Sequence, residues 1–231
     1  MIDGIVFDKD GTLFDFRLSW GRWTTDLLRV LAPDAQLAET LGQAIGYDMA
    51  TGTFAADSPV IAATPREIAE CLLPHLPGQT LIGLIDQMNT LSAATDMSPA
   101  VALEPLLARL RARGLKIGLA TNDTEIPARA HLAAAGITHL FDFVAGCDSG
   151  FGGKPAPGQL LAFASQLALD PARIAMVGDS HHDLQAGRAA GMYAVAVLTG
   201  IATEADLAPF ADVVLQDINA LPDWLDQLSA R

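Results

Sequence analysis

Lysine and arginine are scarce in this 231-residue chain, 14 against 27 aspartates and glutamates, for a net charge of −13. That balance leaves no broad basic surface for nucleic-acid phosphates or anionic lipid, so neither is expected as a partner. Cysteine is nearly absent. Cys71 and Cys147 stand far apart and form no metal-type pair, which fits ordinary buried thiols in a reducing, cytoplasmic setting and excludes a disulfide framework. No run reaches about 18 uninterrupted apolar residues, and the start MIDGIVFD has no basic region followed by a long apolar stretch. Neither a membrane span nor a signal peptide is expected. Only 18% of residues are charged and 51% are hydrophobic, which excludes a disordered chain and suits a compact enzyme.

What is present is a rhythm. Short apolar runs at 4–8, 116–121, 141–146, 173–179 and 193–198 each lead through a polar or glycine-rich turn into a helical pattern. The alternation predicts an α/β fold with a parallel sheet covered by helices on both faces, the helices falling over 99–114, 125–136, 157–169 and 182–191. Between residues 16 and 98 the rhythm stops. That interval shows helical patterns and no convincing strand, and is expected to be a second, smaller helical domain inserted after the first strand, with 1–15 and 99–231 forming the main one.

In open parallel sheets the ligand crevice lies outside the carboxyl ends of the strands. Four polar segments converge there: DKDGT after the first strand, TND after the second, GDSHHD after the fourth, and GGKP before that fourth strand. In IVFDKDGTLFD, residues 5–15, Asp8 and Asp10 repel each other unless something positive sits between them. A helix–loop–helix calcium site does not fit, because its glycine belongs at the sixth position and Gly11 is fourth from Asp8. A plain turn with decorative acids is the bland alternative. The productive one makes Asp8 a carboxylate nucleophile at phosphorus and Asp10 the acid that protonates the leaving oxygen and then activates water. Asp179 and Asp183 supply further oxygens for a hard cation such as Mg2+, which would offset the repulsion. Thr121 with its neighbour Asn122, and Lys154 on a proline-stiffened segment, are placed to hold a phosphoryl group.

In this order the segments resemble the four motifs of the haloacid dehalogenase superfamily: FDKDGTLFD, LATND, the lysine of GGKPAPG, and VGDSHHDLQAGRAAGM. The likeness spans nearly the whole chain and is greatest to phosphatases of the phosphoglycolate phosphatase type with a helical cap. It implies a Rossmann-like core and a cap over 16–98, Asp8 as nucleophile, Asp10 as acid and base, and Thr121 and Lys154 on the phosphate. It also implies Mg2+ held by Asp8, the Asp10 backbone carbonyl and Asp179, with Asp183 behind it or reaching it through water. The substrate is then a small phosphorylated metabolite. Dehalogenases of the superfamily lack the second aspartate, present here as Asp10. A sugar-phosphate mutase and a non-enzymatic module binding Mg2+ or phosphate stand as alternatives. In the cap, Arg17, Arg22 and Phe54 are candidate leaving-group contacts, Phe54 on a weakly periodic loop over 46–59. Trp20 and Trp23 are expected mainly to pack, and His181 and His182 to face solvent or cap a helix.

Overall fold

The computed structural model describes residues 1–230. Six strands form one parallel sheet: β1 (Gly4–Phe7), β4 (Lys116–Ala120), β5 (Phe143–Ala145), β6 (Ile174–Gly178), β7 (Tyr193–Val197) and β8 (Val213–Leu215), ordered β5-β4-β1-β6-β7-β8. The first strand, GIVF, is buried throughout, as a strand covered on both faces must be. Its side chains alternate. Ile5 and Phe7 join the apolar cluster under α5 (Leu103–Ala112), α6 (Glu125–Ala134) and α10 (Leu221–Ser229), while Val6 meets α7 (Gly158–Gln166) and α8 (His181–Ala189) on the other face. Each large apolar side chain so buried contributes about 1.5–3 kcal/mol. Gly118 opens the sheet to Phe163, whose ring would lie 2.5 Å from an added Cβ.

The five expected strands and four expected helices are all present. The helix expected over 99–114 begins only at Leu103, because Phe14 bridges to Pro99 and Ala100 donates to the Leu13 carbonyl. The edge strand β8 and the helix α10 carried no sequence expectation.

Residues 16–98 build a helical layer from α1 (Phe16–Leu31), α2 (Ala35–Ala44), α3 (Pro65–Leu72) and α4 (Leu81–Ala93). Contrary to the expectation of no strand there, a small antiparallel hairpin pairs β2 (Tyr47–Asp48) with β3 (Thr53–Phe54). The layer has its own apolar cluster, in which Trp23, Leu27, Leu41, Leu72 and Met88 are buried. It leaves and rejoins the sheet side by side: Asp15 N–H donates to Ser98 O at 2.8 Å, and Asp15 also caps α1 by accepting from Leu18 N–H. No helix among the described residues is long and apolar enough to cross a membrane.

Candidate active site

Register brings the site together. Phe7 is level with Leu119 on one side and Val177 on the other, so the next residues, Asp8, Ala120–Thr121 and Gly178–Asp179, emerge at one edge. There Asp8, Asp10, Thr121, Asn122, Lys154, Asp179 and Asp183 all line a single cavity of about 610 Å³, its mouth included, roofed by the helical layer.

Lys154 organises the acids. Its Nζ lies 2.5 Å from Asp8 Oδ1 and 2.7 Å from Asp183 Oδ1, and donates to the Ala120 carbonyl at 2.7 Å. Burial works against its charge, yet Asp183 and Asp8 outweigh burial and hold its pKa above the ordinary lysine value. Asp183 is fixed by a capping box that opens α8: its Oδ2 accepts from Ser180 N–H and Oγ, at 3.0 and 2.6 Å. Its Oδ1 faces Lys154 at ion-pair distance but outside hydrogen-bond geometry. Gly11, at φ +88, turns the chain where an added Cβ would lie 2.3 Å from Asp179 Oδ2.

Ligand oxygens of Asp8, Asp179 and Asp183 lie within 4.8 Å of one another, all three residues buried. Burial pushes the Asp8 carboxyl up to about 7; Lys154 opposes the shift, and Asp183 and Asp10 add to it. Asp179 is driven well above the carboxylate range by burial, Asp8 and Asp183. Lys154 pairs with Asp8 and Asp183 but leaves Asp179 without an ion-pair partner, and Asp10 Oδ1 is buried without a partner. An all-oxygen donor set with surplus negative charge fits a hard divalent cation.

Behind the cavity lies a network that the sequence did not disclose. In extended chain, alternation turns Lys9 away from Asp8. Fully buried, Lys9 reaches Asp10 Oδ2 and Asp123 Oδ2, both at 3.0 Å, and His131 Nδ1 at 2.9 Å. Burial opposes the Lys9 charge, but Asp10 and Asp123 raise its pKa. Burial and the Lys9 charge hold His131 below its usual pKa, and its Nε2 lies 2.7 Å from the Ser92 carbonyl. Ser92 Oγ donates in turn to Asp123, so α4 is tied to the residues under Asp10. The signal for Asp123 was its place in TND, directly after Thr121 and Asn122.

The Asn122 side chain is engaged within the protein. Its amide donates to the carbonyls of Ala62 and Lys154 and accepts from Lys154 N–H, which leaves only its backbone N–H for a phosphoryl oxygen. Three expectations need correction. Arg17 and Arg22 are exposed on the outer face of α1 and do not line the cavity. Phe54 packs on Phe16 and Tyr47, with ring centroids 5.3 and 4.8 Å away, and is likewise outside it. The cavity wall is instead made by Trp20 and Trp23, one turn apart on the inner face of α1, and by residues 60–63, just after the loop expected to approach. His181 is exposed, but His182 lines the cavity, its Nδ1 3.2 Å from the Ala62 carbonyl. Cys147 holds its proton, its pKa pushed to about 12 by burial and Asp148.

Residues 2–191 match the haloacid dehalogenase-like hydrolase family. A phosphoglycolate phosphatase of Rhodospirillum rubrum is 31% identical, the match covering 97% of this chain and 91% of the relative. Among solved structures, a predicted phosphoglycolate phosphatase from Haemophilus somnus superimposes with a TM-score of 0.74 at 21% identity, covering 97% of this chain and 98% of that one. A β-phosphoglucomutase from Clostridium difficile gives 0.67 at 19% identity, with full coverage of both chains. At those identities the two structures establish the fold alone. Family match and curated relative go further: the chain belongs to the haloacid dehalogenase-like hydrolases and is a phosphatase similar to the phosphoglycolate phosphatases.

Proposed function

We propose that the chain hydrolyses small phosphomonoesters through an aspartyl-phosphate, with a divalent cation, Mg2+ by its oxygen donor set, held by Asp8, Asp179 and the Asp10 backbone carbonyl, and with Asp183 behind them. One observation carries the proposal: Asp8 and Asp10 share a cavity with Lys154, which grips the Asp8 carboxylate. Asp8 Oδ attacks phosphorus, forming an O–P bond as the ester O–P bond breaks, and Asp10 gives the departing alkoxide its proton. Water then attacks the same phosphorus, Asp10 takes its proton, and the acyl phosphate opens to free Asp8 and release phosphate. Bound cation would neutralise charge on the phosphoryl oxygens and on the carboxylates. Thr121 and the Asn122 N–H are placed to orient the phosphoryl group, and Lys154 to balance its charge. The helical layer over 16–98 acts as the cap that shields the acyl phosphate from bulk water, and a cytoplasmic setting fits two free thiols. Likeness to a mutase rests on the fold alone and favours no second reaction.

Phosphate release should require Mg2+ and stop with excess chelator. Asp8→Asn should abolish turnover. Asp10→Asn should slow alkyl esters about 100-fold or more but activated aryl esters far less, since these leave without a proton. Equal rates with and without chelator would remove the cation, and an active Asp8→Asn would remove the covalent step.

A further inference from the structure

The two ends of the cavity differ in charge. Among the described residues Lys154 is the only lysine or arginine that lines it, and Asp8 and Asp183 hold that cation at the phosphoryl end. The helical layer contributes no cation: Arg17, Arg22, Arg29 and Arg66 are all exposed, and Arg66 is paired to Glu70. Lys9 is wholly buried between Asp10 and Asp123. His182 belongs to α8, beside Asp183 and not on the layer. The wall contributed by the helical layer consists of apolar side chains such as Val60, Ile68 and Met88, the indoles of Trp20 and Trp23, and the polar but neutral Asn89 and Ser92. A carboxylate on the leaving group would enter this end with no free counter-charge, at a large desolvation cost, because Lys9, 5.2 Å from the centre of the Trp20 ring, is already paired to both Asp10 and Asp123. Trp20 and Trp23 are more than nine-tenths buried, and both leave an indole N–H without a partner. Both residues line the cavity, so a neutral acceptor on the leaving group would satisfy whichever indole N–H substrate binding brings against it.

We infer that the preferred substrate is the phosphate ester of a small uncharged alcohol with an apolar face and a hydrogen-bond acceptor, and that phosphoglycolate and other carboxylate-bearing esters are disfavoured. The inference rests on the phosphatase function proposed above. It is tested on the full-length, Mg2+-loaded protein with near-isosteric pairs: phosphoglycolate against its amide, and 4-carboxyphenyl phosphate against phenyl phosphate. The neutral member should have the higher kcat/KM by at least about tenfold in each pair. Asn89→Lys and Ala63→Lys each place a cation on the wall at a half-buried position, and either should shrink that ratio about tenfold. Trp20→Phe or Trp23→Phe keeps a ring and removes a donor, and should cost the amide about two- to tenfold more than it costs propyl phosphate, which lacks an acceptor there. Calorimetric binding of 2-carbamoylethylphosphonate against 2-carboxyethylphosphonate reads the same preference without turnover. Carboxylate esters and the carboxylate phosphonate doing as well as or better than their neutral partners would overturn the inference and leave the phosphatase function standing. No phosphate release from any ester would overturn that function, while the phosphonate ranking would still decide the character of the wall.

Discussion

Asp8 is pulled two ways, by burial that favours its acid and by Lys154 that favours its carboxylate, and burial prevails. A carboxyl whose pKa rises from 3.8 to about 7 on folding keeps a proton that the unfolded chain has lost, so the metal-free fold loses stability as pH climbs between those values. Asp179 acts in the same direction. His131 acts oppositely: its pKa is lowered in the fold, so the penalty for keeping it neutral disappears as pH rises past about 6.5. Comparing melting with and without Mg2+ at each pH cancels the histidine. The Mg2+-induced rise in Tm should be near zero at pH 5 and about 5 °C or more at pH 8, and Asp8→Asn should lose most of it. A rise independent of pH would mean that the cation does not compete with protons on these acids. Asp8, Asp10 and Asp179 stood out in the sequence because strand-ending polar clusters contrast with apolar runs, and they line one cavity with Lys154 and Asp183. Lys9 did not stand out, since its partners Asp123 and His131 lie more than 110 residues away. Arg17 and Arg22 misled because charge draws attention, whereas helical phase decides which side chains face inward; Trp20 and Trp23 hold that phase.

The acidic cluster is bounded by backbone that admits no side chain. Gly178 ends β6 where an added Cβ would lie 2.3 Å from Asp183 Cβ, and at Gly200, in the loop after β7, a Cβ would lie 1.7 Å from Asp179 Oδ2. That same loop is pinned to the first motif by Thr199 Oγ1, which donates to Gly11 O at 2.5 Å. Gly200→Ala must displace either Asp179 or the loop. Mg2+ titration should show affinity reduced at least about tenfold with a comparable fall in turnover, while stability drops by only about 1–3 kcal/mol. Unaltered Mg2+ affinity would mean that the loop yields and Asp179 keeps its place. Gly200 left no mark in the sequence, because TG after an apolar run reads as any turn. At this scale the buried central strands were the easiest to find. The three-residue edge strand β8 is only half-buried, and the two-residue strands β2 and β3 are too short to show a period.

A net charge of −13 surrounds a cavity that must admit a phosphate dianion. Long-range repulsion slows approach and is screened by salt within about 10 Å at 0.1 M, whereas the buried contacts to Lys154 are screened far less. At fixed Mg2+, raising NaCl from about 20 to about 200 mM should therefore increase kcat/KM about two- to threefold. A steep fall instead would mean that exposed cations guide the substrate, contrary to their placement. Composition made this prediction accessible, and the alternation of apolar runs with helical patterns the α/β class; how the helical layer closes over the sheet edge was not legible, because it depends on a few distant bonds such as Asn122 to Ala62 and Asn89 to Thr124.

The phosphoryl end of the cavity is drawn from loops at the sheet edge and the opposite wall from residues 20–92, two stretches of chain that meet only in space. Mutational drift can therefore rewrite what the enzyme accepts without touching how it reacts. A lineage carrying this scaffold is free to wander among metabolites through substitutions at a handful of wall positions, each change leaving Asp8, Asp10 and Lys154 in register. New specificities should then arise by gradual steps through bifunctional ancestors, with no inactive intermediate to cross.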